Sequence, residues 1–268
     1  MGSAPSHAVL TARPGVQRPL SRLLLRPLIA GLCCLTPATP AIAQGSPLPG
    51  VKFWAGGGAL FIGALFADRN LSAAMERSQS AGLDRLAGIV EPMGHQKVAL
   101  PALAGSYVVT LVIGDHHASN AVLRIAAGFV AADLLESALK PAVGRHRPDS
   151  LNNDPWLFRP FSSGNEWHSM PSGHAVHAFA LAAGVATEVH QPAVAVAGYS
   201  LATLVAFQRV YGRAHWPSDV VAGAMLGIAT SRATCYLLRP RSTRAPGASL
   251  VFWPRGIAVR LPFQPLAH

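Results

Sequence analysis

The sequence predicts an all-α protein, a six-helix bundle followed by a short hairpin-like tail, and three observations predict it. Six apolar segments recur at about residues 53–67, 98–114, 120–139, 174–189, 192–207 and 220–237. They are built mainly of Ala, Leu, Val and Gly and lack the period-2 alternation of a half-buried strand. Short connections rich in Pro, Gly or His separate them, as expected between neighbouring helices. At 268 residues, with no internal repeat and no long linker, the chain predicts one domain.

The first 43 residues carry Arg13, Arg18, Arg22 and Arg26 and no acidic residue, then the apolar run PLIAGLCCLTPATP, then Ala41-Ile42-Ala43. This pattern predicts a secretory signal cleaved after Ala43. An uncleaved anchor is the alternative, disfavoured by Pro37 and Pro40, which sit badly in a spanning helix. Cys33 and Cys34 would leave with the leader, so Cys235 would have no partner and neither a disulfide framework nor a thiolate metal site is expected. The helical domain is then expected over residues 44–240 and the tail over 241–268. Within the domain, residues 70–91 are polar with apolar positions at helical spacing and predict an extra surface helix. The tail, ASLVFWPRGIAVRLPF, is aromatic and β-branched around Pro254-Arg255-Gly256 and predicts a hairpin.

Half the residues are hydrophobic and only 13% are charged, which favours a membrane protein or a very apolar bundle. After residue 43 the chain holds 18 basic and 12 acidic residues, a net of +6, and nothing in it resembles a nucleic-acid groove. The apolar runs are no longer than 20 residues, near the minimum for a span, and the third contains Arg124, Asp133 and Glu136. Topology pulls two ways. If the leader is removed and the first three segments cross, the loop after residue 139 faces the cytoplasm. The basic end at Arg239, Arg241 and Arg244 places that loop outside. The two reconcile if 53–67 does not cross, or if the bundle is soluble and periplasmic. The favoured expectation is an exported, membrane-associated protein with an extracytoplasmic site.

Three clusters carry chemistry. Lys140 to Pro148 reads KPAVGRHRP, a run of cationic and titratable side chains at a helix end. Pro171-Ser172-Gly173-His174 opens the next apolar segment; Pro suits a first helical turn, and Ser and Gly leave N–H groups available to an anion. Arg209 to Asp219 reads RVYGRAHWPSD, with Asp219 four residues after His215 and expected to accept a hydrogen bond from its imidazole. Taken singly, each also reads as a solvated or capped helix end. Together they supply three cations for a tetrahedral dianion, N–H donors from a helix start, and two histidines to flank it, a set suited to in-line phosphoryl transfer.

Lys140-x6-Arg147-Pro148, Pro171-Ser172-Gly173-His174 and Arg209-x5-His215-x3-Asp219 resemble the tripartite signature of the type 2 phosphatidic acid phosphatase superfamily, which includes the vanadium haloperoxidases. The resemblance covers roughly residues 53–238. One departure is Gln208, where the family often has Ser. The resemblance implies a six-helix bundle of that family's kind and hydrolysis of a phosphate monoester or diphosphate, most plausibly of a lipid such as phosphatidate, undecaprenyl diphosphate or a lipid A precursor. It implies His215 as the nucleophile forming a phosphohistidine, oriented by Asp219, and His174 as the acid and then the base. Lys140, Arg147, Arg209, Ser172 and the Gly173 N–H would hold the phosphoryl oxygens. No metal and no cofactor are implied. The rival expectations are a vanadate-dependent haloperoxidase and a non-catalytic envelope protein that binds lipid phosphate.

The remaining residues carry weaker expectations. His177 is read as a packing or capping residue. His116 and His117 lack a third metal ligand. Arg145, His146, Glu166, His168 and Arg213 border the clusters and either shape the substrate entrance or are solvated. Trp156, Phe158, Phe161 and Trp167 form either an apolar rim or a packed loop.

Overall fold

Helix α1, Val51–Arg77, runs without a break because no Pro follows Gly50 and its three consecutive glycines are tolerated inside a long apolar stretch. The computed structural model describes residues 48–148, 153–240, 249–253 and 256–260, so the predicted leader, Arg241, Arg244, Pro254 and Arg255 lie outside it. The polar residues after 70 are not the surface helix expected of them. Residues 70–77 continue α1 and bury Leu71, Ser72, Ala74 and Met75. Only Ala81–Val90 forms the separate α2, started by Ser80, whose hydroxyl accepts from the Leu83 N–H.

A 3₁₀ turn, Glu91–Gly94, leads into α3, Gln96–Ile113. Helix α4, His116–Val143, is capped by the Asp115 carboxylate at its start. It passes through Pro141 and closes at Gly144, so the helix ends two residues later than the proline suggested. Gly144 has φ +60°, and a Cβ there would overlap the Arg159 carbonyl, which explains glycine at this turn. Helices α5, Gly173–Val189, α6, Pro192–Tyr211, and α7, Pro217–Leu237, follow, the last two each starting on a proline. Strands β1, Ser249–Trp253, and β2, Gly256–Arg260, form the expected antiparallel hairpin, with Ser249 opposite Arg260.

Helix α5 is the centre of the bundle, packed against α4, α6 and α7. Its inner residues are small: Ala175, Val176, Ala180 and Ala183 are fully buried beside Phe179. Small residues let backbones approach, and α7 approaches closest. A Cβ on Gly223 would lie 2.6 Å from the Ser172 carbonyl oxygen, and one on Gly227 would overlap the Val176 carbonyl.

Among the described residues, four helices, α1, α3, α6 and α7, are long and apolar enough to cross a membrane. Large apolar side chains stand exposed along them, including Ile62, Phe66, Val109, Val112, Val196 and Leu204. The charges of α4 turn inward: Arg124 meets Glu188 of α5 at 2.7 Å in the interior, and Glu136 meets Lys140 at 2.5 Å.

Candidate active site

The loops between α4 and α5 and between α6 and α7, with the starts of α5 and α7, form one end of the bundle, and the three sequence clusters meet there. Ser172 is the N-cap of α5; its N–H donates to the Asp219 carbonyl at 3.0 Å, which ties the second cluster to the third. Its hydroxyl is buried and has no protein partner. Gly173 sits against α4 so closely that a Cβ would fall 2.5 Å from a Glu136 carboxylate oxygen and 3.3 Å from Lys140 Nζ. Glu136 thus holds the Lys140 ammonium beside the mouth of α5.

Arg147 ties the loops together. Its guanidinium donates to the carbonyls of Asn165 and Ala214, both at 3.0 Å, and of His168 at 3.3 Å. Arg209, at the end of α6, donates to Gln208 Oε1 and to Glu91 Oε1, both at 3.3 Å. Gln208 is buried, and its amide oxygen supports the arginine at the position where the sequence departs from the family pattern.

His215 is almost fully buried, and its Nδ1 lies 2.7 Å from the Ser169 carbonyl oxygen. A carbonyl only accepts, so Nδ1 carries the proton and Nε2 keeps its lone pair. Burial, opposed by the nearby Asp219 carboxylate and reinforced by Arg147, pushes the His215 pKa down to about 4, so the ring is neutral at pH 7.

The expected hydrogen bond from His215 to Asp219 is absent; the carboxylate comes no closer than 3.9 Å to Nδ1. Asp219 is instead consumed by other donors. Its Oδ2 accepts from the Ser169 hydroxyl at 2.5 Å and from the Trp216 N–H at 2.9 Å, and its Oδ1 pairs with Arg145 at 2.7 Å. Asp219 is thus linked to His215 through Ser169, whose hydroxyl donates to the carboxylate and whose carbonyl accepts from the imidazole Nδ1–H.

Arg145 is neither solvated nor at the entrance. It is wholly buried, with Nη1 donating to Ser218 and Asp219, and Nη2 to Asp68 at 2.6 Å and the Pro155 carbonyl at 2.7 Å. Asp68, from the middle of α1, also accepts from the Ser218 N–H and hydroxyl. Sequence reasoning passed over Asp68 and Ser169. The one available signal was a lone carboxylate in an apolar segment. His146 is also buried; its carbonyl accepts from Trp216 Nε1 and its ring meets Trp167 edge-on.

Glu166 is exposed and gives its carbonyl to the Arg147 N–H, His168 pairs with the Ser162 carbonyl, and Arg213 pairs with the exposed Glu76. His116 and His117 are exposed at the start of α4. Trp156, Phe158 and Phe161 are exposed, as an apolar rim requires. His177 does more than pack: it bridges Asp133, at 2.6 Å, and the Gly94 carbonyl, at 3.2 Å.

His174 occupies the first turn of α5. Its Nε2 is buried without a hydrogen-bond partner, and its ring meets His95 edge-on at 4.3 Å. Burial first, then the charges of Arg209, His95, His215 and His177, lower its pKa to about 2, so it is neutral when no anion is bound. Cations, helix N–H groups and two neutral imidazoles thus gather at one end of the bundle, an arrangement chemically able to hold a phosphoryl group and offer it a nucleophile.

The family model of the PAP2 superfamily matches residues 121–243. The lipid A 1-phosphatase of Rhizobium johnstonii is 38% identical over 99 residues, which are 37% of this chain and 40% of that protein. The chain thus spans about two fifths of that relative's length. The undecaprenyl-diphosphatase of Sulfolobus acidocaldarius is 28% identical over 151 residues, 56% of this chain and 68% of that protein. Among solved structures, a transmembrane PAP2-type phosphatidylglycerolphosphate phosphatase from Bacillus subtilis shares the fold with a TM-score of 0.52, at 21% identity, covering 66% of this chain and 92% of that one. Helices α4 to α7, which carry all three clusters, lie within or overlap the stretch that the PAP2 superfamily model matches.

Proposed function

We propose that the protein hydrolyses a phosphate monoester or diphosphate carried by a lipid, through a phosphohistidine on His215. The observation that carries this reading is the bond from His215 Nδ1 to the Ser169 carbonyl, which leaves Nε2 as a neutral nucleophile among Lys140, Arg147 and Arg209. Nε2 attacks phosphorus, the P–O bond to the alcohol or phosphate leaving group breaks, and His174 delivers a proton to the departing oxygen. His174 acts as the acid in its imidazolium form, taking up a proton once the bound phosphoryl charge offsets the cations that lower its pKa, and returns to the neutral form as the leaving group departs. In the second step it accepts a proton from water, which attacks the phosphohistidine and releases phosphate. Ser172 and the Gly173 N–H, with the three cations, hold the phosphoryl oxygens as charge develops.

A lipid substrate is supported by the four apolar helices and by the rim of Trp156, Phe158 and Phe161 beside the site. The two named relatives point the same way, one a lipid A 1-phosphatase and the other an undecaprenyl-diphosphatase. We further propose that residues 1–43 direct export, that 44–240 are the catalytic domain, and that the site opens on the extracytoplasmic side.

The test is phosphate release in detergent and EDTA from phosphatidate, undecaprenyl diphosphate, lipid A and an aryl phosphate, with wild type and His215→Ala. Release from at least one lipid, lost in the variant, with an acid-labile phosphoenzyme trapped on His215, is the expected result. Folded protein that releases phosphate from none of the four overturns the reading.

A further inference from the structure

The turn Glu91–Gly94 and His95 belong to none of the three clusters, yet they form a wall of the site. The turn is docked firmly. The Gly94 carbonyl pairs with His177 Nδ1, His177 is held by Asp133, and a Cβ on Gly94 would fall 2.6 Å from the His174 ring. This docking sets two exposed ligands, Glu91 and His95, beside an imidazole whose Nε2 is buried and unpartnered. Among the described residues, Glu91, His95 and His174 are the one group of three His, Cys, Asp or Glu side chains whose ligand atoms all lie within 4.8 Å of one another.

We propose that Glu91, His95 and His174 form an inhibitory site for a divalent transition cation of borderline softness, with zinc as its probe. The donor set suits that class: two imidazoles and a carboxylate, with a fourth position open to water or to an anion oxygen. Zinc at about 2.0–2.2 Å from each ligand brings them roughly 3.3 Å apart. The exposed Glu91 and His95 side chains can rotate inward to reach that spacing, while His174 stays fixed by its helix. Arg209 opposes the cation and competes for Glu91 through a 3.3 Å contact to a carboxylate that is about half exposed. The affinity is therefore expected in the micromolar range rather than that of a structural zinc site. A histidine ligated to zinc cannot pass a proton at the ligating nitrogen, so occupancy stops the leaving-group step. The inhibition, though not the binding, rests on the role of His174 proposed above.

The experiment uses the full chain, purified in detergent without a histidine tag. Zinc binding is measured by calorimetry at pH 7, and aryl phosphate hydrolysis is measured in parallel against buffered free zinc. The expected result is one zinc per chain and inhibition with the same midpoint, reversed by EDTA. His95→Ala and Glu91→Gln should each weaken binding and inhibition by roughly tenfold or more. Zinc binding that neither variant weakens, or no binding at all, overturns the site. Binding lost in both variants but without inhibition overturns the inhibitory role. Intact binding in a protein with no hydrolytic activity supports the metal site and counts against the phosphatase reading alone.

Discussion

Asp219 holds the Ser169 hydroxyl at 2.5 Å, and the Ser169 carbonyl lies 2.7 Å from His215 Nδ1, so the carboxylate reaches the imidazole through an intervening residue. Asp219→Asn replaces an acceptor of three hydrogen bonds by a group with one acceptor oxygen, and it leaves Arg145 or the Ser169–Trp216 pair unsatisfied. Phosphate release should fall about 10²-fold, ~3 kcal/mol of barrier. Ser169→Ala keeps the carbonyl and loses only the hydroxyl, so its loss should be nearer tenfold, about 1.4 kcal/mol. Equal losses in the two variants would contradict this route.

The pH dependence of kcat/KM reports on His215. Its pKa in the folded protein, about 4, lies below the ordinary 6.5, so the neutral nucleophile persists well into the acid range. With an aryl phosphate whose own ionisation is accounted for, the acid limb assigned to His215 should fall near pH 4 rather than 6.5. Stability moves with the same sign. The unfolded histidine binds a proton between pH 6.5 and 4 while the folded one does not, so stability falls as pH drops through that window. Melting temperatures of wild type and His215→Asn across pH 4–7 check it, with the variant showing the shallower slope.

The buried group of Arg145, Asp68 and Asp219 should be structural as well as positioning. Arg145→Ala leaves two buried carboxylates without their cation and should cost on the order of 3–5 kcal/mol. Arg213→Ala removes a more exposed pair with Glu76 and should cost less than about 1 kcal/mol. Thermal unfolding in one detergent ranks the two, and similar shifts would refute the distinction.

Gly227 sets how closely α7 lies on α5. Gly227→Val drives a side chain into the Val176 carbonyl and should destabilise by roughly 1–3 kcal/mol. Gly82, on the exposed face of α2, has nothing within 4 Å of an added Cβ, and Gly82→Ala should be neutral or stabilising. The same unfolding assay compares them.

The sequence by itself determined the helices and the chemistry of the three clusters. Apolar segments bounded by Pro and Gly can hardly be anything but helices, and Lys140, Arg147, Ser172, His174, Arg209, His215 and Asp219 stand at spacings that local pattern reveals. Tertiary structure decided what those residues touch. Asp68 is 77 residues from Arg145 in sequence, and Ser169 is 50 from Asp219. Ser169 acts partly through a backbone carbonyl, which every residue possesses and no side-chain pattern can mark. The direct pairing expected of His215 and Asp219 was inferred from one turn of helical spacing. It fails because His215 lies before α7 begins at Pro217, where that spacing does not apply. The wall formed by Glu91 and His95 has the same origin: α2 and the turn after it are placed by packing against α6 and α5, a contact that local propensity does not encode.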